Sequence, residues 1–117
     1  MTKIEEPMEG LLSELRRGTL VLCVLSQLKE RQYGYSLLQS LAEKGMDVEQ
    51  GTLYPLLRRL EKQNLLDSDW TLEEARPRRY YVLSSKGRQT FNDLGCEWES
   101  MVKVVDTMLG RERKEGL

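Results

Sequence analysis

Residues 50–66 read QGTLYPLLRRLEKQNLL. Leu53, Leu56, Leu57 and Leu60 recur at helical spacing and make one apolar stripe. The remaining surface of the same helix carries Thr52, Tyr54, Pro55, Arg58, Arg59 and Lys62. Pro55 falls in the expected first turn after Gly51, where its missing N–H leaves no helical bond unmade. The helix opens on small residues, which lets the backbone amides at its N-terminus approach a phosphate. A leucine-anchored helix presenting hydroxyl, aromatic and basic groups has the composition suited to a DNA major groove. Taken alone the segment is better read as an ordinary amphipathic surface helix, so the flanking sequence decides.

The chain has 117 residues, enough for one domain with an appended helix. Its hydrophobic fraction of 39% beside a charged fraction of 32% suits elongated, solvated helices, or a core completed by a second chain. The net charge of −1 argues against a uniformly basic nucleic-acid coat. Charge is unevenly spread, however: −2 over residues 1–50, +3 over residues 51–90 and −2 over residues 91–117. A basic middle between acidic ends is a local electrostatic footprint.

Two cysteines, Cys23 and Cys96, and no histidine exclude a zinc cluster, and neither metal nor cofactor is expected. The absence of histidine, of a glycine-rich phosphate loop and of a paired-carboxylate motif argues against an enzyme. MTKIEEPMEG has no apolar signal core and no run reaches membrane-spanning length, so the expected compartment is the cytoplasm, without membrane contact.

Ile4, Met8, Leu11 and Leu15 make a slim stripe on an N-terminal helix that begins near Pro7, suited to lying along another helix. Gly18-Thr19 reads as a break, with Thr19 as N-cap of a second helix from Leu20 to Leu28 that continues through Lys29 and Glu30 toward Gly34. Cys23 falls in its core as a small inert hydrophobe. Tyr33-Gly34-Tyr35 is a turn; Leu37, Leu38, Leu41 and Ala42 line a short helix closed by Gly45. That helix, a link over residues 46–50 and the basic helix form a helix-turn-helix pattern. LLDSDWTL and RRYYVLS read as strands joined by the turn EEARP, a hairpin forming the wing of a winged helix, with Tyr80 and Tyr81 facing opposite ways. Ser84-Ser85-Lys86-Gly87 opens a long last helix whose Phe91, Leu94, Trp98, Met101, Val105 and Met108 form a two-heptad seam that calls for a partner helix. RERKEGL is a charged tail.

The fold class is therefore mainly α with a small β-hairpin (α+β). The divisions are an N-terminal packing helix over 1–17, a winged helix-turn-helix over 18–84 and a C-terminal dimerisation helix over 85–117.

LRRGTLVLCVLSQL, YGYSLLQSL, GTLYPLLRRLEKQNLL and PRRYYVLSSKGR occur in order and with family-like spacing. With these stretches and the Trp98 helix the chain resembles the PadR family of bacterial winged-helix transcriptional regulators, in its smaller subgroup with one C-terminal helix. The resemblance implies a homodimer on double-stranded DNA, the C-terminal helix of each subunit packing with the other's N-terminal helix. It implies a regulator, expected to be a repressor, acting on an inverted-repeat operator. Some members bind flat aromatic drugs between paired tryptophans at the dimer centre, and Trp98 matches that tryptophan. A small aromatic effector would then meet Met8, Leu12, Leu15, Leu94, Trp98, Met101 and Val102. Two departures stand out. The wing turn carries Glu73 and Glu74 where many relatives have glycines, and Val102 stands where drug-binding relatives place an acid.

The surface offered to DNA comprises Tyr35, Gln50, Thr52, Tyr54, Pro55, Arg58, Arg59, Lys62, Arg76, Arg78 and Arg79. Thr52 and Tyr54 are placed near base edges or phosphates, and Arg58, Arg59 and Lys62 on phosphates or guanines. Arg78 and Arg79 would grip flanking phosphates. The competing account is that individual arginines pair with neighbouring acids, which contributes little at an exposed site. A winged helix can also serve as a protein-interaction module without DNA specificity. Cys96 lies off the seam with no basic neighbour or partner cysteine to activate it.

Overall fold

The computed structural model describes residues 6–111. Ile4 and the tail beyond Arg111, both used in the sequence reading, lie outside the described residues. Within them the chain forms α1 (Met8–Ser26), β1 (Gln32–Tyr33), α2 (Gly34–Glu43), α3 (Gln50–Lys62), β2 (Leu66–Glu73), β3 (Arg76–Leu83) and α4 (Ser85–Met108). The three strands make an antiparallel sheet in the order β1-β3-β2.

The leucines of α3 organise the core as expected: Leu53, Leu56, Leu57 and Leu60 are all buried. They meet Val24, Leu25 and Leu28 from the end of α1, Leu37 and Leu41 from α2, and Leu66, Tyr81 and Leu83 from the hairpin. Each such side chain contributes about 2 kcal/mol of burial free energy, so this leucine cluster fixes the angle at which α3 is held. Asn64, in the left-handed region at φ 64°, ends α3, and the Leu65 amide bonds back to the Leu60 carbonyl. Gly45, at φ 97°, closes α2 as its C-terminal glycine should.

Three expectations about the helices are corrected. Gly18-Thr19 does not interrupt the first segment: α1 runs through both, and the Thr19 hydroxyl donates to the Arg16 carbonyl within the helix instead of capping a new one. A mid-helix glycine costs only about 1 kcal/mol, less than the burial of Val24 and Leu25 that anchors the helix downstream. The same helix stops at Ser26 rather than continuing past Leu28, because Gln32 and Tyr33 pair with Tyr81 and Tyr80 as a third strand. Pro55 is the sixth residue of α3, not part of its first turn, since the helix already starts at Gln50. The Gly51 carbonyl thereby loses its helical donor on the exposed face.

Tyr80 and Tyr81 do alternate faces, yet both are buried. Tyr81 enters the helical core, whereas Tyr80 is covered from the other side by the Tyr33 ring, edge-on at 5.4 Å, and by the Arg31 guanidinium 3.9 Å from its centroid. The wing turn is shorter than EEARP: only Glu74 and Ala75 lie between the strands, both with positive φ (50° and 62°), the pattern of a two-residue I′ hairpin.

Ser84 caps α4, its hydroxyl accepting from the Gly87 amide while donating to the Asn64 carbonyl. Gly87 is obligatory there, since an added Cβ would lie 1.9 Å from the Leu65 carbonyl oxygen. Phe91 and Leu94 still rest on the core; beyond them the seam leaves the domain, and Trp98, Met101, Val105 and Met108 are exposed.

Candidate nucleic-acid interface

With four leucines turned inward, α3 presents Gln50, Thr52, Pro55, Arg58, Arg59 and Lys62 to solvent. Arg58, Arg59 and Lys62 make no ion pair among the described residues, nor does Arg76 at the start of β3. Their charge is therefore open to an external anion.

Beside α3 runs a groove of about 450 Å³ whose walls are Tyr35 at the start of α2, Tyr54 and Arg58 of α3, and Trp70, Arg78 and Arg79 of the hairpin. Five of the residues expected to meet DNA thus converge on one depression. Gln50 sits apart, over a separate hollow with Leu38 and Val48. The Tyr54 ring lies so near Gly34 that a Cβ there would approach its ring carbons to 2.5 Å, so packing against α2 aims this tyrosine.

The hairpin arginines are less free than the sequence suggests. Arg79 pairs with Glu61 of α3 at 2.6 Å and also donates to the Ser68 hydroxyl at 3.2 Å, while Ser68 itself donates to Glu61. The hydrogen bond from Ser68, and then the hydrogen bond and charge of Arg79, hold the Glu61 carboxyl below the usual carboxylate range against the opposing effect of burial. Arg78 lies 3.7 Å from Glu73 and its guanidinium stacks 4.4 Å above the Tyr33 ring. On the outer face, Arg31 clamps Asp69 at 3.0 Å and donates to Thr71. Asp69 and Glu61 lie 38 and 18 residues from their arginines, and Glu73 sits across the hairpin from Arg78, so sequence spacing does not pair them.

A second depression, about 600 Å³ and mostly apolar, lies between α1 and α4. Of the residues named for an effector, Leu15, Leu94, Trp98, Met101 and Val102 line it, joined by Val21, Leu22, Glu97 and Asp106; Met8 and Leu12 do not. No cluster of three or more potential metal ligands occurs among the described residues, and no helix there is long and apolar enough to cross a membrane.

This architecture is shared with known proteins. The model of the transcriptional regulator PadR-like family matches residues 21–93, more than half the chain. A PadR family regulator from Eggerthella lenta superposes with a TM-score of 0.82 at 44% identity, over 86% of this chain and 90% of that one. The chain belongs to the PadR-like family of transcriptional regulators.

A PadR-like transcription factor from Bacteroides fragilis is similar as well, with a TM-score of 0.72 and 35% identity over 85% and 98% of the two chains. A transcriptional regulator of Mycobacterium tuberculosis is 34% identical over 95 residues, 80% of this chain and 89% of its own length. The winged-helix reading of the fold is thus shown, and PadR-like membership makes the chain a regulator of transcription rather than an enzyme.

Proposed function

We propose that this PadR-like protein is a sequence-specific DNA-binding repressor that acts in the cytoplasm as a homodimer on an inverted-repeat operator. One observation carries the reading: Arg58, Arg59 and Lys62 stand unpaired on the exposed face of a helix whose opposite face is held by four buried leucines. That rigid seat lets Thr52 and Arg58 address base edges or phosphates in a major groove, with the aromatic groove alongside. Arg79 serves mainly to brace the wing, because Glu61 already neutralises it.

Pairing of two copies is supported by the apolar surface left open at both ends of the chain. Leu15 is 73% exposed on α1 and Met108 81% exposed on α4, and Met8 and Leu11 of α1 and Met101, Val104 and Val105 of α4 are open as well. Such a surface on a soluble monomer marks an association face. The α1–α4 groove, walled by Trp98, is of a size that holds a small aromatic effector. An effector there changes DNA affinity to the extent that it binds two dimer geometries unequally.

The test is fluorescence anisotropy with labelled duplexes from the DNA upstream of the chain's own gene, across a salt series. Saturable, salt-sensitive binding that favours one inverted repeat is expected. No binding to any duplex at low ionic strength would end this reading, and so would unchanged reporter expression when the gene is deleted.

A further inference from the structure

The face of the hairpin that packs on α3 does not end where the core ends. Along β2, Leu66 is buried and Ser68 bonds to Glu61 of α3; strand alternation puts Trp70 and Leu72 on this same face. Both are nevertheless open, at 65% and 72% exposure. Across the strands Trp70 stands opposite Arg79 and Leu72 opposite the exposed Pro77. The wing therefore carries an apolar blade that contributes nothing to the core of its own subunit.

The surroundings of the blade specify its occupant. Trp70 shares the groove with Tyr54 and Arg58, so the blade lies on the side of the molecule that carries the unpaired charge of α3. The Arg79 guanidinium sits 5.8 Å from the indole but is already paired with Glu61, so the open charge beside the blade is that of Arg58. An occupant must offer anionic groups and apolar surface at close intervals. A sugar–phosphate strand does so, its deoxyribose faces alternating with phosphates. The acidic tip, Glu73 and Glu74, opposes entry of the turn itself between two phosphate walls.

We infer that Trp70, Leu72 and Pro77 pack against the deoxyribose rings of a DNA strand that runs beside α3, with the tip held outside. This rests on the DNA-binding reading above and adds to it a contact that is apolar rather than ionic. An apolar contact strengthens binding to every sequence alike and releases no counterion.

The experiment uses the full chain and a labelled duplex that the wild type binds. Trp70→Ala should weaken binding about tenfold, the scale of one lost aromatic contact to nucleic acid, while the slope of log Kd against log salt stays as in wild type. Trp70→Phe should keep most of the affinity and Leu72→Ala should lose part of it. In a Trp98→Phe background, Trp70 emission should shift and become shielded from acrylamide as DNA saturates. A folded Trp70→Ala variant that binds as wild type, or Trp70 emission unmoved at saturation, overturns the inference while DNA binding stands. A Trp70→Ala variant whose subunit association changes instead assigns the blade to a protein contact and overturns it too. If Trp70→Ala fails to fold, Leu72→Ala and the emission arm decide. If the wild type binds no duplex at all, the inference falls together with the function it extends.

Discussion

Arg79 of the hairpin and Glu61 of α3 are joined at 2.6 Å, so the wing is tied to the helix that the leucine core orients. The pair is partly exposed, with about a third of each side chain in solvent, and solvent screening limits its contribution to about 1 kcal/mol. Because the Glu61 carboxyl is held below the usual carboxylate range, its stabilisation is present in full above the unfolded-state pKa. It fades as pH falls through the lower folded-state value. Urea unfolding should show Glu61→Gln about 1 kcal/mol less stable than wild type at neutral pH, with the gap closing in acid. A constant gap across that range would mean the ionised pair is not what Glu61 contributes.

Arg58 and Arg79 should behave differently toward DNA despite lying in the same groove. Loss of unpaired Arg58 by substitution with alanine should lower the salt slope by roughly one phosphate contact. Arg79→Ala should leave the slope near wild type and show its effect as reduced thermal stability. Equal slopes for wild type and Arg58→Ala would remove Arg58 from the phosphate contacts.

Two glycines make a paired prediction. A Cβ on Gly87 would meet a backbone carbonyl oxygen at 1.9 Å, and Gly87→Ala should destabilise the fold by about 3 kcal/mol in urea titration. A Cβ on Gly34 would meet only the outer part of the Tyr54 ring, which can swing away. Gly34→Ala should therefore stay within about 1 kcal/mol of wild type in stability yet lose DNA affinity as Tyr54 is displaced.

For the association face, Met101→Lys should turn a two-subunit particle into a single subunit by light scattering, with a matching loss of affinity for a palindromic duplex. Met101 is 56% exposed, so the folded chain tolerates the lysine when alone. A wild-type mass of one subunit at every concentration would refute the homodimer directly.

The effector proposal has its own readout. In a Trp70→Phe background, planar aromatic compounds should quench or shift Trp98 emission saturably, and Met101→Lys should abolish the response. Silence across a chemically broad panel leaves Trp98 as a packing residue of the seam.

Periodic features were legible from the spacing of residues along the chain. The α3 leucines, the hairpin and the α4 seam each repeat a spacing that only one element satisfies, and the structure has all three. Two classes of feature were not. β1 is two residues long, Gln32 and Tyr33, and owes its existence to strand β3 rather than to any preference of its own. The continuity of α1 through Gly18 likewise reflects packing at Val24 and Leu25, which local breaker signals do not register. At the site, the identity of the exposed arginines was readable but their status was not. Glu61 binds Arg79 while Arg58 remains open only because the hairpin folds back onto one flank of α3.

The unbroken course of α1 has a mechanical meaning. Nineteen residues without a hinge form a stiff strut, roughly 28 Å long, rooted at Val24 and Leu25 in the same leucine cluster that seats α3. Leu15, which lines the same groove as Trp98, lies near the middle of this strut, with no break between it and that root. A break at Gly18 would have uncoupled the two halves of α1; the intact strut links the wall of the α1–α4 groove rigidly to the leucines that hold α3.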